Sequence, residues 1–101
     1  MAAANYQLTS VPRADNQTRE LLVKATEIGI KNELIRALRL VYDQLPSAPE
    51  KLGDPLHHTR KPGGMVYNVV VEPISVRYVV YEIDKVVCLL DVKPLSRYFP
   101  E

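Results

Sequence analysis

The sequence predicts a two-layer α+β domain in which a helical hairpin packs on one face of a small, mainly antiparallel sheet. Three observations carry this. Two stretches in the first half place apolar residues at helical spacing, with a glycine between them. Three Val-rich runs in the second half are separated by turn residues. The helical stripes must be buried, and a sheet face is the partner available in a single domain of 101 residues.

In chain order, residues 6–11 alternate apolar and polar, the period of a half-buried strand, and Pro12 closes it. Asp15 or Asn16 then suits a helix N-cap, because a short side-chain oxygen accepts from an orphan backbone N–H. Leu21, Leu22, Ala25 and Ile28 form one stripe, and Gly29 is a natural left-handed ending. Asn32 can cap a second helix, whose apolar face is Leu34, Ile35, Leu38, Val41, Tyr42 and Leu45. Glu33 favours the positive end of that helix, and Pro46 and Pro49 stop it.

Residues 46–64 hold four prolines and three glycines and are expected to form a long loop, a common place for function. Strands are expected over 65–72, 74–83 and 86–92, with Pro73 in the first turn and Asp84-Lys85 as a two-residue second turn. Pro94 ends the last strand, and residues 95–101 form a short, partly frayed tail. The element order is β-α-α-β-β-β in one domain, 1–101.

With Asp84-Lys85 as the turn, Ile83 faces Val86, Tyr81 faces Cys88, Val79 faces Leu90 and Arg77 faces Val92. That nearly apolar set is expected under the helices, with Cys88 a small buried hydrophobe and Arg77 in an ion pair with Asp84, Asp91 or the C-terminal segment. The opposite set includes Val76, Tyr78, Val80, Glu82, Val87, Leu89, Asp91 and Lys93, and is expected to be open. An open patch of Val76, Val80, Val87 and Leu89 would be a partner surface or a homo-oligomer interface. Replacing Val80 or Leu89 by Asp is then expected to abolish complex formation without unfolding the domain.

Composition narrows function. A formal net charge of +1 provides no global field for nucleic acid, so such binding requires a local basic patch. One cysteine, Cys88, excludes an internal disulfide and fits a reducing, cytoplasmic setting. Residues 1–5 lack the charged and apolar regions of a secretory leader, and no apolar run approaches membrane-spanning length. The one basic cluster is His57, His58, Arg60 and Lys61, which can grip phosphates, although a solvated loop is the commoner role for such a cluster. His57 and His58 have no third ligand nearby in sequence, so neither a metal nor a cofactor is expected.

The segment Arg77-Tyr78-Val79-Val80-Tyr81-Glu82-Ile83-Asp84, followed by the Val-rich run 86–92, resembles the third and fourth strands of the RelE/ParE toxin superfamily. Gly53-Asp54-Pro55-Leu56 resembles that family's loop before the second strand. Ser10-Val11-Pro12-Arg13-Ala14-Asp15 resembles its approach to the first helix. Together these cover residues 6–97. The resemblance implies a small intracellular toxin of a type II toxin–antitoxin system, held inactive by an antitoxin protein. RelE-like members cleave ribosome-bound mRNA without a metal, through Lys, Arg and sometimes a terminal Tyr; ParE-like members poison DNA gyrase.

Lys93, Arg97 and Tyr98 resemble the family's basic and aromatic tail, which makes Arg97 and Tyr98 catalytic candidates, beside His58 of the loop cluster. The cluster His57, His58, Arg60 and Lys61, with Tyr78 and Lys93, supplies the candidates for target contact. The family's strand arginine falls at Tyr78 here, and residues 65–72 contain no Lys or Arg where ribonuclease members place them. The alternative implied by those gaps is a non-catalytic protein-interaction module that keeps the fold.

Overall fold

A computed structural model describes residues 5–60 and 63–100. The order is β1 (Gln7–Ser10), α1 (Pro12–Ile28), α2 (Lys31–Gln44), α3 (Pro49–Leu52), β2 (Asp54–His58), β3 (Gly64–Val71), β4 (Ile74–Tyr81) and β5 (Val86–Pro94). The strands form one sheet in the order β1-β5-β4-β3-β2, antiparallel throughout except for the parallel β1–β5 pair. This is the expected α+β layering, with one added helical turn and one added strand.

Helix α1 starts earlier than the side-chain caps suggest. Pro12 occupies its first turn, with Val11 extended before it (φ −78°, ψ 155°). Proline brings a helical φ and has no N–H to satisfy, so it begins the helix without a side-chain cap. Asp15 therefore lies inside the first turn, where it accepts from the Ser10 hydroxyl (2.6 Å), and Asn16 accepts from Arg19 (2.9 Å). Ala14, Leu21 and Ala25 are its buried residues, while Ile28, expected in the stripe, is largely exposed. Gly29 ends the helix at φ 84°, and the Ile30 amide closes back on the Ala25 carbonyl at 2.8 Å. Helix α2 starts at Lys31 rather than from a cap at Asn32, and buries Leu34, Ala37, Leu38 and Val41.

The stretch expected to be a loop holds both α3 and β2. Pro49 opens α3 and is buried, and its carbonyl accepts from the Tyr78 hydroxyl at 2.7 Å. Strand β2 is an exposed edge strand with a bulge between Pro55 and His57. It shows neither alternation nor β-branched residues, so nothing in its pattern marks it as a strand.

The β4–β5 register corrects the expected one. Tyr81 pairs with Val86, so the turn has four residues, 82–85, with Lys85 at φ 55°. Val80 pairs with Val87, Tyr78 with Leu89 and Val76 with Val92. A two-residue turn at Asp84-Lys85 would need positive φ at both positions without a glycine; the longer turn places one residue there. The pairing moves by two residues, so up to the bulge between Arg77 and Tyr78 the two sets of side chains stay grouped as expected; what the structure reverses is which set meets the helices. Val76, Tyr78, Val80, Val87 and Leu89 lie under the helices, each 3% exposed or less, so the expected open patch is core. Cys88 moves to the helix-free face and is half-buried there, where burial pushes its thiol pKa up. Arg77 is exposed on that face too, and Asp91 pairs with Arg13 (3.2 Å) rather than with Arg77.

Two contacts secure the ends of the sheet. Beyond the short β1, the Gln17 side chain of α1 accepts the Val92 amide (2.8 Å) and donates to Asp91 (3.3 Å). Residues 95–100 also fold back rather than fray. The Leu95 amide bonds the Pro73 carbonyl (3.0 Å), and Phe99 is buried in the core.

Candidate functional site

The helical hairpin packs on β5 and its neighbours, leaving the β3 half of the same face to the one-turn α3. Between α3, the β2–β3 connection and the adjoining ends of β3 and β4 lies a cleft of about 370 Å³. Its floor is Met65, Tyr67 and Val80. Met65 and Val80 are cross-strand partners. Glu50 from α3, Glu82 just past β4 and His58 at the end of β2 form its walls. Gly53 lets α3 turn into β2 at close quarters: a Cβ there would stand 2.7 Å from both the Asn68 carbonyl oxygen and the Tyr78 hydroxyl.

Two tyrosines build the base. The Tyr67 and Tyr78 rings stack at 5.5 Å with a 7° interplanar angle. Tyr78 is fully buried, and burial raises its pKa to about 12. It therefore serves as a neutral donor that fixes α3 to the sheet. Burial also raises the Tyr67 pKa, and the nearby Glu50 and Glu82 charges add to this. Glu82 is held above the usual carboxylate range by a hydrogen bond shared with Glu50 and by the Glu50 charge, while Lys85 opposes the shift. Tyr6 donates to Glu50 (3.3 Å), and Lys85 sits over the Tyr6 ring at 4.8 Å. The cleft is thus acidic, aromatic and closely hydrogen-bonded. Phosphate would be repelled there.

The structure does not gather the sequence-predicted residues into one site. His57, His58 and Arg60 lie at the end of the sheet where β3 begins, His58 opposite Met65 and His57 opposite Val66. Lys61 is outside the described residues. Lys93, Arg97 and Tyr98 lie at the other end, where Lys93 pairs with Ser75 and the tail packs by the β3–β4 turn. The length of β3 between the two groups is roughly 20 Å. Arg97 bonds Glu72 at 2.8 Å and stacks over Tyr98, which itself donates to Glu72. That bond holds the Tyr98 hydroxyl pKa above its usual value. Tyr78, a candidate for target contact, is instead buried beneath α3, because the face expected to be open is the one the helices cover.

The residues missed from sequence are Glu50, Glu82, Tyr67 and Tyr6. Glu50 and Glu82 are 32 positions apart on a short helix and a turn, and no spacing rule joins them. Among the described residues, no three His, Cys, Asp or Glu side chains are placed to hold a metal ion together, and no helix is long and apolar enough to cross a membrane.

A second concavity, about 680 Å³, runs along the outer side of the helical hairpin. Leu22, Val23, Ile35, Leu38 and Tyr42 line it, with Glu27, Lys31 and Arg39 at its rim. Val23 is 61% exposed and Tyr42 is 42% exposed, so the apolar stripe continues beyond the core onto the surface.

No protein-family model matches this sequence, and no curated protein matches it. Solved structures do match the fold. The chain is similar to one in the archaeal RelE–RelB complex from Pyrococcus horikoshii OT3, with 20% identity, 92% of this chain and 98% of that chain covered, and a TM-score of 0.65. It is similar to one in the toxin–antitoxin complex RelBE2 from Mycobacterium tuberculosis, with 16% identity, 89% and 98% covered, and a TM-score of 0.66. A chain of the chromosomal ParDE system from P. aeruginosa gives 15% identity, 92% and 99% covered, and a TM-score of 0.59. What is shared at these identities is the fold, which is RelE/ParE-like.

Proposed function

We propose that this chain is the toxin-like member of a cytoplasmic type II toxin–antitoxin pair, and that it acts through protein contacts rather than by cutting RNA. The observation that carries the reading is the fold likeness, which spans about nine-tenths of this chain and nearly all of each neighbour. Those neighbours are a RelE–RelB complex, a RelBE2 toxin–antitoxin complex and a ParDE system.

The outer groove of the hairpin fits an antitoxin segment. Its apolar lining and charged rim suit the apolar face of an amphipathic helix. The cleft argues against phosphate chemistry. Two carboxylates stand in it, and the basic and aromatic candidates are split between the two ends of the sheet. A ribosome-bound mRNA is therefore a weaker target than a protein such as gyrase. The same observation favours one alternative, an interaction module that has kept the fold and carries no toxicity.

The test is tightly induced expression in a bacterial host, with and without the protein encoded by the adjacent reading frame. Growth arrest relieved by that protein, and capture of it lost on Val23→Asp at unchanged thermal stability, is the expected result. Normal growth alongside intact capture would select the interaction module. Neither arrest nor capture would overturn both.

A further inference from the structure

The acidic cleft has a feature that its structural role does not use. The Tyr67 side chain is 9% exposed, and its hydroxyl, which makes no hydrogen bond to the described residues, is the part of it left open to the cleft. Around it stand the Glu50 and Glu82 carboxylates, neither of which has an ion-pair partner among the described residues. Lys85, the cation nearest to them by its effect on Glu82, is engaged over the Tyr6 ring. Three oxygen acceptors thus converge on a cavity whose floor includes the Met65 and Val80 side chains, and the cavity is too small for a folded element.

We propose that this cleft receives the guanidinium of an arginine side chain presented by the protein partner. This rests on the reading that the chain works through protein contacts. A guanidinium supplies five N–H donors in a planar fork and accepts nothing, which matches two carboxylates and a phenol oxygen. The aliphatic part of the arginine lies along Met65 and Val80. A lysine ammonium offers a compact charge, satisfies fewer spread acceptors and is harder to dehydrate. The fit also suits two carboxylates that line one cleft without a cation of their own: an arriving cation offsets the Glu50 charge that raises the Glu82 pKa.

The test uses the full chain and N-acetyl-arginine amide as the probe, followed by NMR at low salt. Saturable shifts at the Met65 and Val80 methyls and the Tyr67 ring are expected. Binding should weaken at least about tenfold for the neutral isostere N-acetyl-citrulline amide and in Glu50→Gln/Glu82→Gln. Tyr67→Phe should weaken it severalfold with the fold unchanged. No saturable shift, or equal shifts with citrulline, overturns the site, and equal binding of N-acetyl-lysine amide overturns the guanidinium assignment. In the captured complex, the Glu50→Gln/Glu82→Gln protein should bind its partner more weakly; unchanged affinity overturns the assignment to a partner. The probe requires no partner, so its failure leaves the toxin–antitoxin reading standing. Loss of capture by Val23→Asp with probe binding intact leaves the cleft assignment standing.

Discussion

One face of the sheet carries two different covers. Over β5 and β4, the hairpin of α1 and α2 closes on Val87, Leu89 and Val92 with aliphatic side chains, and nothing polar is trapped. Over β3, the cover is the four residues of α3, held by a tyrosine hydroxyl on the Pro49 carbonyl and by a glycine with no room for a Cβ. The first half is excluded from water by area. The second is held by a few directional contacts, and a cavity remains beside them. A short cover secured by hydrogen bonds leaves room for chemistry that a long, apolar cover fills.

The contrast is broken most severely by placing a charge under the hairpin. Leu89→Asp buries an unpaired carboxylate, and a loss of at least about 4 kcal/mol is expected, seen as insoluble or unfolded protein in urea denaturation. Val23→Asp on the outer groove should stay within about 0.5 kcal/mol of the parent. If Leu89→Asp remains folded, the facing of β5 described above is wrong.

Under α3 the expected loss is smaller and of a different kind. Tyr78→Phe removes the side-chain hydrogen bond to the Pro49 carbonyl and should cost about 1–3 kcal/mol. Its signature is faster hydrogen exchange in residues 49–58, with the helical hairpin protected as before. Uniform loss of protection would erase the distinction between the two covers. Because the folded pKa of Tyr78 stands above its usual value, the fold should also weaken between pH 10 and about 12, where the unfolded chain ionises first, and Tyr78→Phe should make that step smaller, leaving the part that Tyr67 and Tyr98 supply.

Gly29→Ala tests the joint of the hairpin. A Cβ there meets nothing within 4 Å, so the cost is that of the left-handed backbone alone, about 1 kcal/mol. The smallest effect is Glu82→Gln. The folded pKa of Glu82 is raised, so the fold binds protons more readily than the unfolded chain and loses stability as pH rises through that titration. The glutamine variant should therefore be slightly the more stable at neutral pH, and the gain should vanish on acidification.

The elements that obey one period were legible in the sequence. Leu34, Leu38 and Val41 give α2 its buried face, Gly29 ends α1 as a Cβ-free residue should, and Pro73 separates β3 from β4. Which face of β4 and β5 meets the helices was not, because both sets of alternate residues in 76–81 are largely apolar and a period of two does not choose between them. The deciding signal was in Ser75 and Arg77, which share a face with Val79 and Tyr81 and mark it as the outward one. Strand β2 escaped because an edge strand with a proline and a bulge follows no alternation. The candidate site was legible only at His58. The other polar groups of the cleft meet through the register and the seating of α3, and neither leaves a motif.

The Gln17 amide on β5 has a further consequence. Strand β1 covers only the first part of β5, so the stretch near Val92 would otherwise offer a bare ladder edge to another chain. By binding the Val92 N–H, Gln17 occupies the donor that a neighbour would need first, and the Arg13–Asp91 pair sets charge beside it. That stretch of β5 is closed to pairing with another chain. At the opposite margin, Pro55 and the bulge interrupt β2. Both sides of the five-stranded sheet thus carry a device against pairing with a second chain, and beside β1 it is a single glutamine.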